Sequence, residues 1–378
     1  MYHQIFYLMG IKYQMKNKIL IISSEFPPGP GGIGNHAFNI SNELTKRGYR
    51  VIINTISDYV DKNQEVLFDL KYSYKIFRFK RKKNALLTWF HRLIIIRRTI
   101  IENKITNVII SGRFSIWVIP FIKIYKNVKI FTVIHGTELG KTLFLKWTLF
   151  CLGKSNNIIS VSNFTRSLVP EKLKLKTSVI NNGIDINKWN DISDTYALDN
   201  YPILITVGSI SLRKGQYNVI KLLPTIIEEF PSTHYHCVGN YEEKKDLLNI
   251  IEELKLNDYV TLHGYLEHHQ LEKLYNLSHV NMLLSNNNNN TDFEGYGISV
   301  LEGNLYGVPA IGAKDSGLED AIRNHYNGAI VDPNNNKDVM DSLKNIFMDY
   351  NNYSIRSKLY AKANKWDRKI DQYEKFIK

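Results

Sequence analysis

Short runs of aliphatic and β-branched residues recur along the chain, and stretches with helical periodicity separate them. Strands buried on both faces of a parallel sheet are apolar at nearly every position, whereas half-buried strands alternate apolar and polar residues. In the first half of the sequence these runs are KILIIS (18–23), YRVIINTI (49–56), NVIIS (107–111), KIFTVI (129–134) and NIISV (157–161). They therefore predict a parallel sheet that is covered by helices on both faces.

The pattern restarts in the second half of the chain. The runs there are ILITVG (203–208), STHYHCVG (232–239), YVTLHG (259–264), VNMLLS (280–285), PAIGA (309–313) and AIVDP (329–333). Two such series predict two doubly wound α/β domains, for which 378 residues suffice. We assign them to residues 15–195 and 196–358, with a terminal helix over 359–378. Residues 1–14 are expected to be an extension, with Met15 as the start of translation.

The charge of the chain is distributed unevenly between these halves. The formal net charge is +13, and the first 190 residues hold 30 Lys and Arg against 10 Asp and Glu. The remainder is slightly acidic, which indicates that the two halves meet different partners. No apolar run is long enough to span a bilayer, and Cys151 and Cys237 lack metal-ligand spacing. We expect a cytoplasmic chain with two buried, reduced thiols.

The segment EFPPGPGGIGNH (25–36) contains the glycine pattern of a dinucleotide site at Gly29, Gly31 and Gly34. In that site the first glycine follows its strand directly, but five residues intervene here and the acidic partner is at best Asp58. An NAD(P)-dependent oxidoreductase is thus a weak alternative. The stronger interpretation keeps only 31–34, whose bare amides precede a helix and can approach a phosphate; a loop shaped for packing is the other possibility.

Two motifs of the second half suit a phosphorylated sugar. VGSISLRKG (207–215) leaves a strand with Arg213 and Lys214 before a helix, although such a pair is often only a solvated surface. FEGYGISVLEGNLYGVP (293–309) is more specific, because glycines leave amides bare at a helix start between Glu294 and Glu302. Eight positions are slightly more than two helical turns, so both carboxylates can face one ligand, and a carboxylate accepts two adjacent hydroxyls well.

With these motifs the sequence resembles the retaining glycosyltransferases of family 4, which have the GT-B fold. The resemblance runs from about Lys18 to the end. It is carried by the two spaced glutamates, GVP (307–309), the KG pair (214–215), NNGID (181–185) and GGIG (31–34), in the family's order.

The resemblance implies a role for each matching residue. Glu302 would hold the ribose, Glu294 and the amides of 295–299 the donor sugar and diphosphate, and Lys214 the leaving diphosphate. The 32–34 loop would close over the donor, and His135 in VIHG would lie beside the transferred sugar. The implied catalytic residues are His135, Lys214 and Glu294, and the implied substrate-binding residues are Gly32, Ile33, Gly34, Ser209, Arg213, Gly295, Tyr296, Gly297, Ile298, Ser299 and Glu302.

The resemblance also implies retention of anomeric configuration, no metal, and no cofactor besides the nucleotide sugar. The D-x-D metal motif of the other glycosyltransferase architecture does not occur in the sequence. One departure is Ser209, where the family commonly has an arginine, and we expect Arg213 to replace that cation. The alternative is a protein that is catalytically silent and serves as a partner in a glycosyltransferase complex. The terminal helix, with Trp366, would cross back to the first domain.

Residues 71–104 hold eleven Lys and Arg against one Glu. Within them, NALLTWFHRLIIIRRTII has apolar residues for a broad helix face, and basic residues with aromatics suit an anionic bilayer. A core-facing helix with a solvated basic edge is the alternative, and no motif supports nucleic acid as a partner. We expect peripheral association with the inner face of the cytoplasmic membrane, a glycan or lipid-linked acceptor, and a place in bacterial surface polysaccharide synthesis.

Overall fold

A computed structural model describes residues 16–29, 31–57, 60–190, 202–240, 244–286 and 293–378. The expected extension over 1–14, the expected start at Met15 and the predicted domain boundary at 195 lie outside the described residues. The described chain divides into two compact units. The first unit runs to Thr132 and includes 154–156, and the second contains 133–153 and everything from Asn157 onward.

Thirteen strands of the described chain form two parallel sheets. The sheet of seven has the order β3-β2-β1-β4-β5-β6-β7, and the sheet of six has the order β10-β9-β8-β11-β12-β13. The strands are β1 Lys16–Ser23, β2 Tyr49–Ser57, β3 Lys75–Lys80, β4 Asn107–Ser111, β5 Lys129–Ile134, β6 Asn157–Ser160, β7 Thr177–Val179, β8 Ile203–Val207, β9 His234–Val238, β10 Val260–Gly264, β11 Val280–Leu283, β12 Ala310–Ala313 and β13 Gly328–Val331.

Helices connect the strands, as parallel pairing requires. They are α1 Gly32–Lys46, α2 Lys62–Asp69, α3 Ala85–Asn103, α4 Arg113–Ile116, α5 Ile119–Ile122, α6 Leu145–Gly153, α7 Asn163–Ser167, α8 Glu171–Lys174, α9 Gln216–Glu229, α10 Lys244–Glu253, α11 His268–Leu277, α12 Ile298–Leu305, α13 Leu318–Ala321, α14 Asn336–Met348, α15 Tyr350–Ala363 and α16 Trp366–Ile377. No helix of the described ranges has the length and hydrophobicity that crossing a membrane requires.

All eleven predicted strand runs are strands, and the two doubly wound α/β units are confirmed. In β1 the four residues from Ile19 to Ile22 are fully buried, as a central strand covered on both faces must be. The sequence analysis missed β3 and β7, which are the two edges of the seven-stranded sheet. Edge strands expose one side to solvent, so β3 alternates exposed and covered positions and carries lysines at both ends.

In both sheets the strand order reverses between two central neighbours, β1 with β4 and β8 with β11. Ligands of doubly wound folds bind outside the carboxyl ends of the strands at such a reversal. The loops that follow these four strands are therefore where binding residues are expected.

The end of the chain packs on the segment after β7. The segment 359–378 contains the end of α15 and all of α16, which break at Asn364 and Lys365. The Ile184 carbonyl accepts a hydrogen bond from the amide of Trp366, and a side chain at Gly183 would overlap the Trp366 backbone. The Trp366 ring is buried, which fits a packing role.

Both cysteines are free and buried, as predicted. Burial raises the pKa of each thiol to about 12, so both stay protonated near neutral pH.

Candidate active site

The loop before α12 brings the main motif together. Gly297 is the N-cap residue of α12, and its φ of 82° is a left-handed conformation that a glycine adopts without strain. A Cβ on Gly295 would overlap the carbonyl oxygen of His135, so only glycine permits this approach. The loop thus packs directly against the residue that follows β5, within the second compact unit.

Glu294 is the centre of a buried ion cluster. It is 5% exposed, and its Oε2 lies 2.8 Å from Lys214 Nζ and 2.9 Å from Arg213 Nη1. Burial alone would raise the pKa of Glu294, but the two cations and the Gly297 amide outweigh it and lower the pKa below its usual value. Glu294 is therefore ionised at neutral pH and holds both cations in place.

Lys214 and Arg213 reach this cluster from the loop after β8. A turn of 3₁₀ helix spans Leu212–Lys214, and α9 begins at Gln216. Ser209 is exposed and carries no charge. The structure therefore brings together both cations that this loop contains, and Arg213 lies where a cation missing at position 209 can be replaced.

Glu302 lies on the second turn of α12 and is half-buried. Burial raises its pKa above the usual value, while a hydrogen bond from Tyr275 and the charges of Lys214 and Lys188 oppose that shift. The Tyr275 hydroxyl donates to Glu302 Oε2 at 3.4 Å. This carboxyl faces protein groups on α11 and keeps acceptor capacity for a ligand hydroxyl.

His135 follows β5 and is half-buried. Burial lowers its pKa to about 4, so the imidazole is neutral at pH 7. The amides of His135 and Gly136 donate to Glu138 Oε2 at 2.9 and 3.0 Å, which fixes the turn that carries the ring. A neutral imidazole offers one donor and one acceptor to a sugar hydroxyl, but no charge.

The remaining candidates of the motif divide into buried and accessible positions. Tyr296 and Ser299 are buried, and Ile298 is half-buried at the first position of α12. The Tyr296 hydroxyl and the Ser299 hydroxyl have no hydrogen-bond partner among the described residues. Burial raises the pKa of Tyr296 well above its usual value, so it stays protonated. These two hydroxyls are available to a ligand or to water.

Gly32, Ile33 and Gly34 open α1 in the first compact unit. A Cβ on Gly32 would meet nothing within 4 Å, whereas one on Gly34 would lie 3.0 Å from the backbone nitrogen of Phe26. Gly32 thus leaves its backbone open to a close approach, and Gly34 serves the packing of the loop on α1. The structure combines both interpretations offered by the sequence.

Sequence reasoning missed several groups that fix the site. Asp320 accepts from the Asn163 amide at 2.8 Å and from the Asn181 side chain at 3.2 Å, and Thr165 donates to the carbonyl of Gly295 at 3.4 Å. Asn181 was available as a signal, because it belongs to NNGID. Asp320 gave none, since it lies 139 positions beyond Asn181 in the chain.

Among the described residues, no group of three or more His, Cys, Asp or Glu side chains is placed to hold a metal ion. Positive charge at the site is supplied by Lys214 and Arg213.

Comparisons with known proteins agree with this geometry. Residues 187–366 match the family model "Glycosyl transferases group 1", and residues 30–188 match "Glycosyltransferase Family 4". One human relative belongs to the phosphatidylinositol N-acetylglucosaminyltransferase complex. It is 22% identical over 316 residues, which are 81% of this chain and 64% of that protein.

A Mycobacterium tuberculosis protein, GDP-mannose-dependent alpha-(1-6)-phosphatidylinositol monomannoside mannosyltransferase, is 22% identical over 88% of this chain and 90% of its own. The structure of Anabaena HepE in complex with UDP and glucose superimposes with a TM-score of 0.76 at 17% identity, covering 96% of this chain and 99% of that one. At that identity the likeness establishes the fold, which is GT-B. The family matches cover both halves, and the chain belongs to the group 1 glycosyltransferases of family 4.

Proposed function

We propose that this protein is a retaining, metal-independent glycosyltransferase that moves a sugar from a nucleotide-sugar donor to a glycan or lipid-linked acceptor. The observation that carries the proposal is the buried cluster of Glu294, Lys214 and Arg213 beside the glycine turn that opens α12. Glu302 lies two turns further along the same helix. This arrangement offers charge for a diphosphate and a carboxylate for a ribose.

The chemistry of transfer accounts for the two cations. As the bond from the anomeric carbon to the phosphate oxygen breaks, negative charge builds on the departing diphosphate. Lys214 and Arg213 supply fixed positive charge there, and Glu294 holds them so that they need no reorganisation during the reaction. The free amides at the start of α12 favour an anion for the same reason.

Retention is proposed to follow from attack on the face from which the leaving group departs. The acceptor oxygen bonds to the anomeric carbon as the bond to the phosphate oxygen breaks, and the acceptor's proton passes to that phosphate oxygen. The neutral imidazole of His135 would hydrogen-bond a hydroxyl of the transferred sugar. No protein nucleophile is required in this scheme, and no metal cofactor is needed to balance the charge.

A membrane-presented acceptor is supported by the outer face of α3. Leu86 and Ile94 are 67% and 64% exposed, and Phe90 is also exposed, while the opposite face of the helix is buried. Basic residues precede and interrupt this face, as in helices that lie on anionic bilayers. Relatives named for phosphatidylinositol-based acceptors are consistent with it.

We place the protein on the inner face of the cytoplasmic membrane, in assembly of a bacterial surface polysaccharide such as O-antigen, capsule or exopolysaccharide. Its partners would be the nucleotide sugar, the acceptor and anionic lipid, with no nucleic acid. The uncharged Ser209 keeps open the alternative of a catalytically silent partner protein, which by definition lacks turnover.

The test is a thermal-shift screen against UDP, GDP, ADP and their sugars, followed by donor hydrolysis with the best ligand. A true ligand raises the melting temperature, and the shift grows with its concentration relative to its Kd. We expect one nucleotide to stabilise the protein and its sugar to be hydrolysed slowly. Binding without hydrolysis or transfer would identify a silent partner protein. No binding by any nucleotide would refute the proposal.

A further inference from the structure

Arg92 is a buried arginine in the first compact unit without a counter-charge among the described residues. It lies in the first half of α3 and is 4% exposed. Its Nη2 donates to Ser115 Oγ at 2.7 Å, its guanidinium lies 5.0 Å from the centre of the Phe79 ring, and its Nε has no hydrogen-bond partner. Burial lowers its pKa to about 9, and no charged group of a described residue contributes to that shift.

Arg78 in the same unit shows what a satisfied buried arginine looks like. Its side chain is 8% exposed, and it forms an ion pair with Asp69 at 2.8 Å and a further one with Glu65 at 3.8 Å. Burying a cation without such partners is costly, and an aliphatic residue would fill the space of Arg92 at less cost. The position of Arg92 therefore points to an anion that arrives from outside the chain.

Two hydroxyls lie beside Arg92 at the strand-order reversal of the seven-stranded sheet. Ser24 directly follows β1, Ser115 lies in α4 after β4, and their Oγ atoms are 3.1 Å apart. These are the carboxyl ends of the two central strands, where doubly wound folds bind ligands. A guanidinium with two hydroxyl donors is a set that fits the oxygens of a phosphate group.

A second unsatisfied polar group lies on the same face of the sheet. Asn54 on β2 is fully buried, and neither its amide nitrogen nor its oxygen has a hydrogen-bond partner in the described chain. It pairs in register with Ile22, two residues before Ser24, so the side chains of Asn54 and Ser24 point to one face. Buried amides are normally hydrogen-bonded, which indicates a polar occupant such as water or ligand beside this part of the sheet.

We propose that Arg92, with Ser24 and Ser115, binds a phosphate group of the acceptor. The proposal rests on the proposed function and narrows its substrate class to a phosphorylated acceptor, whether a lipid phosphate or a soluble sugar phosphate. Arg92 would position the acceptor and take no part in bond cleavage.

The test measures binding of three probes by titration calorimetry: inorganic phosphate, pyrophosphate and short-chain phosphatidate. Saturating nucleotide is present throughout, so that the donor site is filled. Arg92→Met removes the charge at similar volume, and Arg97→Met makes the same change at an exposed position of α3. We expect Arg92→Met to weaken binding at least about tenfold and Arg97→Met less than about twofold. Tight phosphatidate with weak phosphate binding indicates a lipid source, and equal binding a soluble one.

Stability provides a readout that a structural role would move differently. Because Arg92 is an uncompensated buried charge, Arg92→Met should keep or raise the melting temperature. If that variant does not fold, Arg92→Lys is used, which keeps the charge and should weaken probe binding by losing the planar fork. A lowered melting temperature with unchanged probe binding would overturn the site, as would wild-type binding of all three probes weaker than about 10 mM.

Failure of this site and failure of the proposed function give different results. If no nucleotide binds but phosphate binding depends on Arg92, the donor assignment falls and the site remains. If nucleotide binding and donor hydrolysis are intact while Arg92→Met changes no probe affinity, the site falls alone.

Discussion

Replacing Arg213 by alanine tests whether the cation cluster stabilises the leaving diphosphate. Arg213 Nη1 and Lys214 Nζ lie 2.9 and 2.8 Å from the same oxygen of Glu294, and they are the only cations in residues 208–215. Ser209 contributes no charge at the position where the family commonly has an arginine. Removing Arg213 therefore leaves Lys214 alone to meet the developing charge.

The magnitude follows from the single charged interaction that the substitution removes. A hydrogen bond to a charged group contributes about 1.5–3 kcal/mol, and each ~1.4 kcal/mol is tenfold in rate. Arg213→Ala should therefore lower kcat/KM for donor hydrolysis and for transfer about 10- to 100-fold. Glu294 keeps its bond to Lys214, so the variant should fold and unfold near the wild-type temperature.

Two further variants make the measurement specific. Lys221→Ala removes a cation from the exposed face of α9 and should change kcat/KM less than about twofold, as surface charges do. Adding Ser209→Arg to Arg213→Ala should restore part of the loss, because it returns a guanidinium to the same loop. An Arg213→Ala variant as fast as wild type would refute the idea that Arg213 replaces the missing cation.

Three other perturbations test separate parts of the account. Glu302→Gln should weaken nucleotide affinity about tenfold in calorimetry with little change in melting temperature; unchanged affinity would remove the ribose role. His135 has a pKa of about 4 in the folded protein against about 6.5 unfolded, so between those pH values the unfolded state binds more protons and stability falls with acidity. His135→Asn should reduce that loss by up to about 3 kcal/mol in denaturant titrations; an unaltered pH slope would contradict the shifted pKa. Phe90→Asp should abolish co-sedimentation with anionic vesicles at low salt, whereas Leu175→Asp at a fully exposed leucine should not; equal binding by both would exclude the α3 face.

The central strands were predictable because their environment leaves a direct mark on the sequence. Residues such as Ile19–Ile22 must be apolar at every position, since β1 is covered on both faces. The edge strand β3 escaped prediction because KIFRFK meets solvent on one side and reads as part of a basic stretch. The short β7, with three residues, has too little pattern to be recognised.

The candidate site was predictable where its residues are close in sequence. Glu294, the glycine turn and Glu302 lie within nine residues, so helical geometry alone relates them. Hydrogen bonds between distant segments gave no such signal, as with Asp320 and Asn163 or with Tyr275 and Glu302.

The buried Arg92 could not be distinguished in the sequence from the ten other basic residues of 71–104, because burial of one face of α3 depends on packing.

The most direct test of the central claim is a crystal structure with the nucleotide that the screen identifies. The account predicts the ribose hydroxyls within hydrogen-bond distance of the Glu302 carboxylate and the diphosphate against Lys214 and Arg213. A nucleotide bound away from these side chains, with Glu302 contacting only Tyr275 and other protein groups, would contradict it.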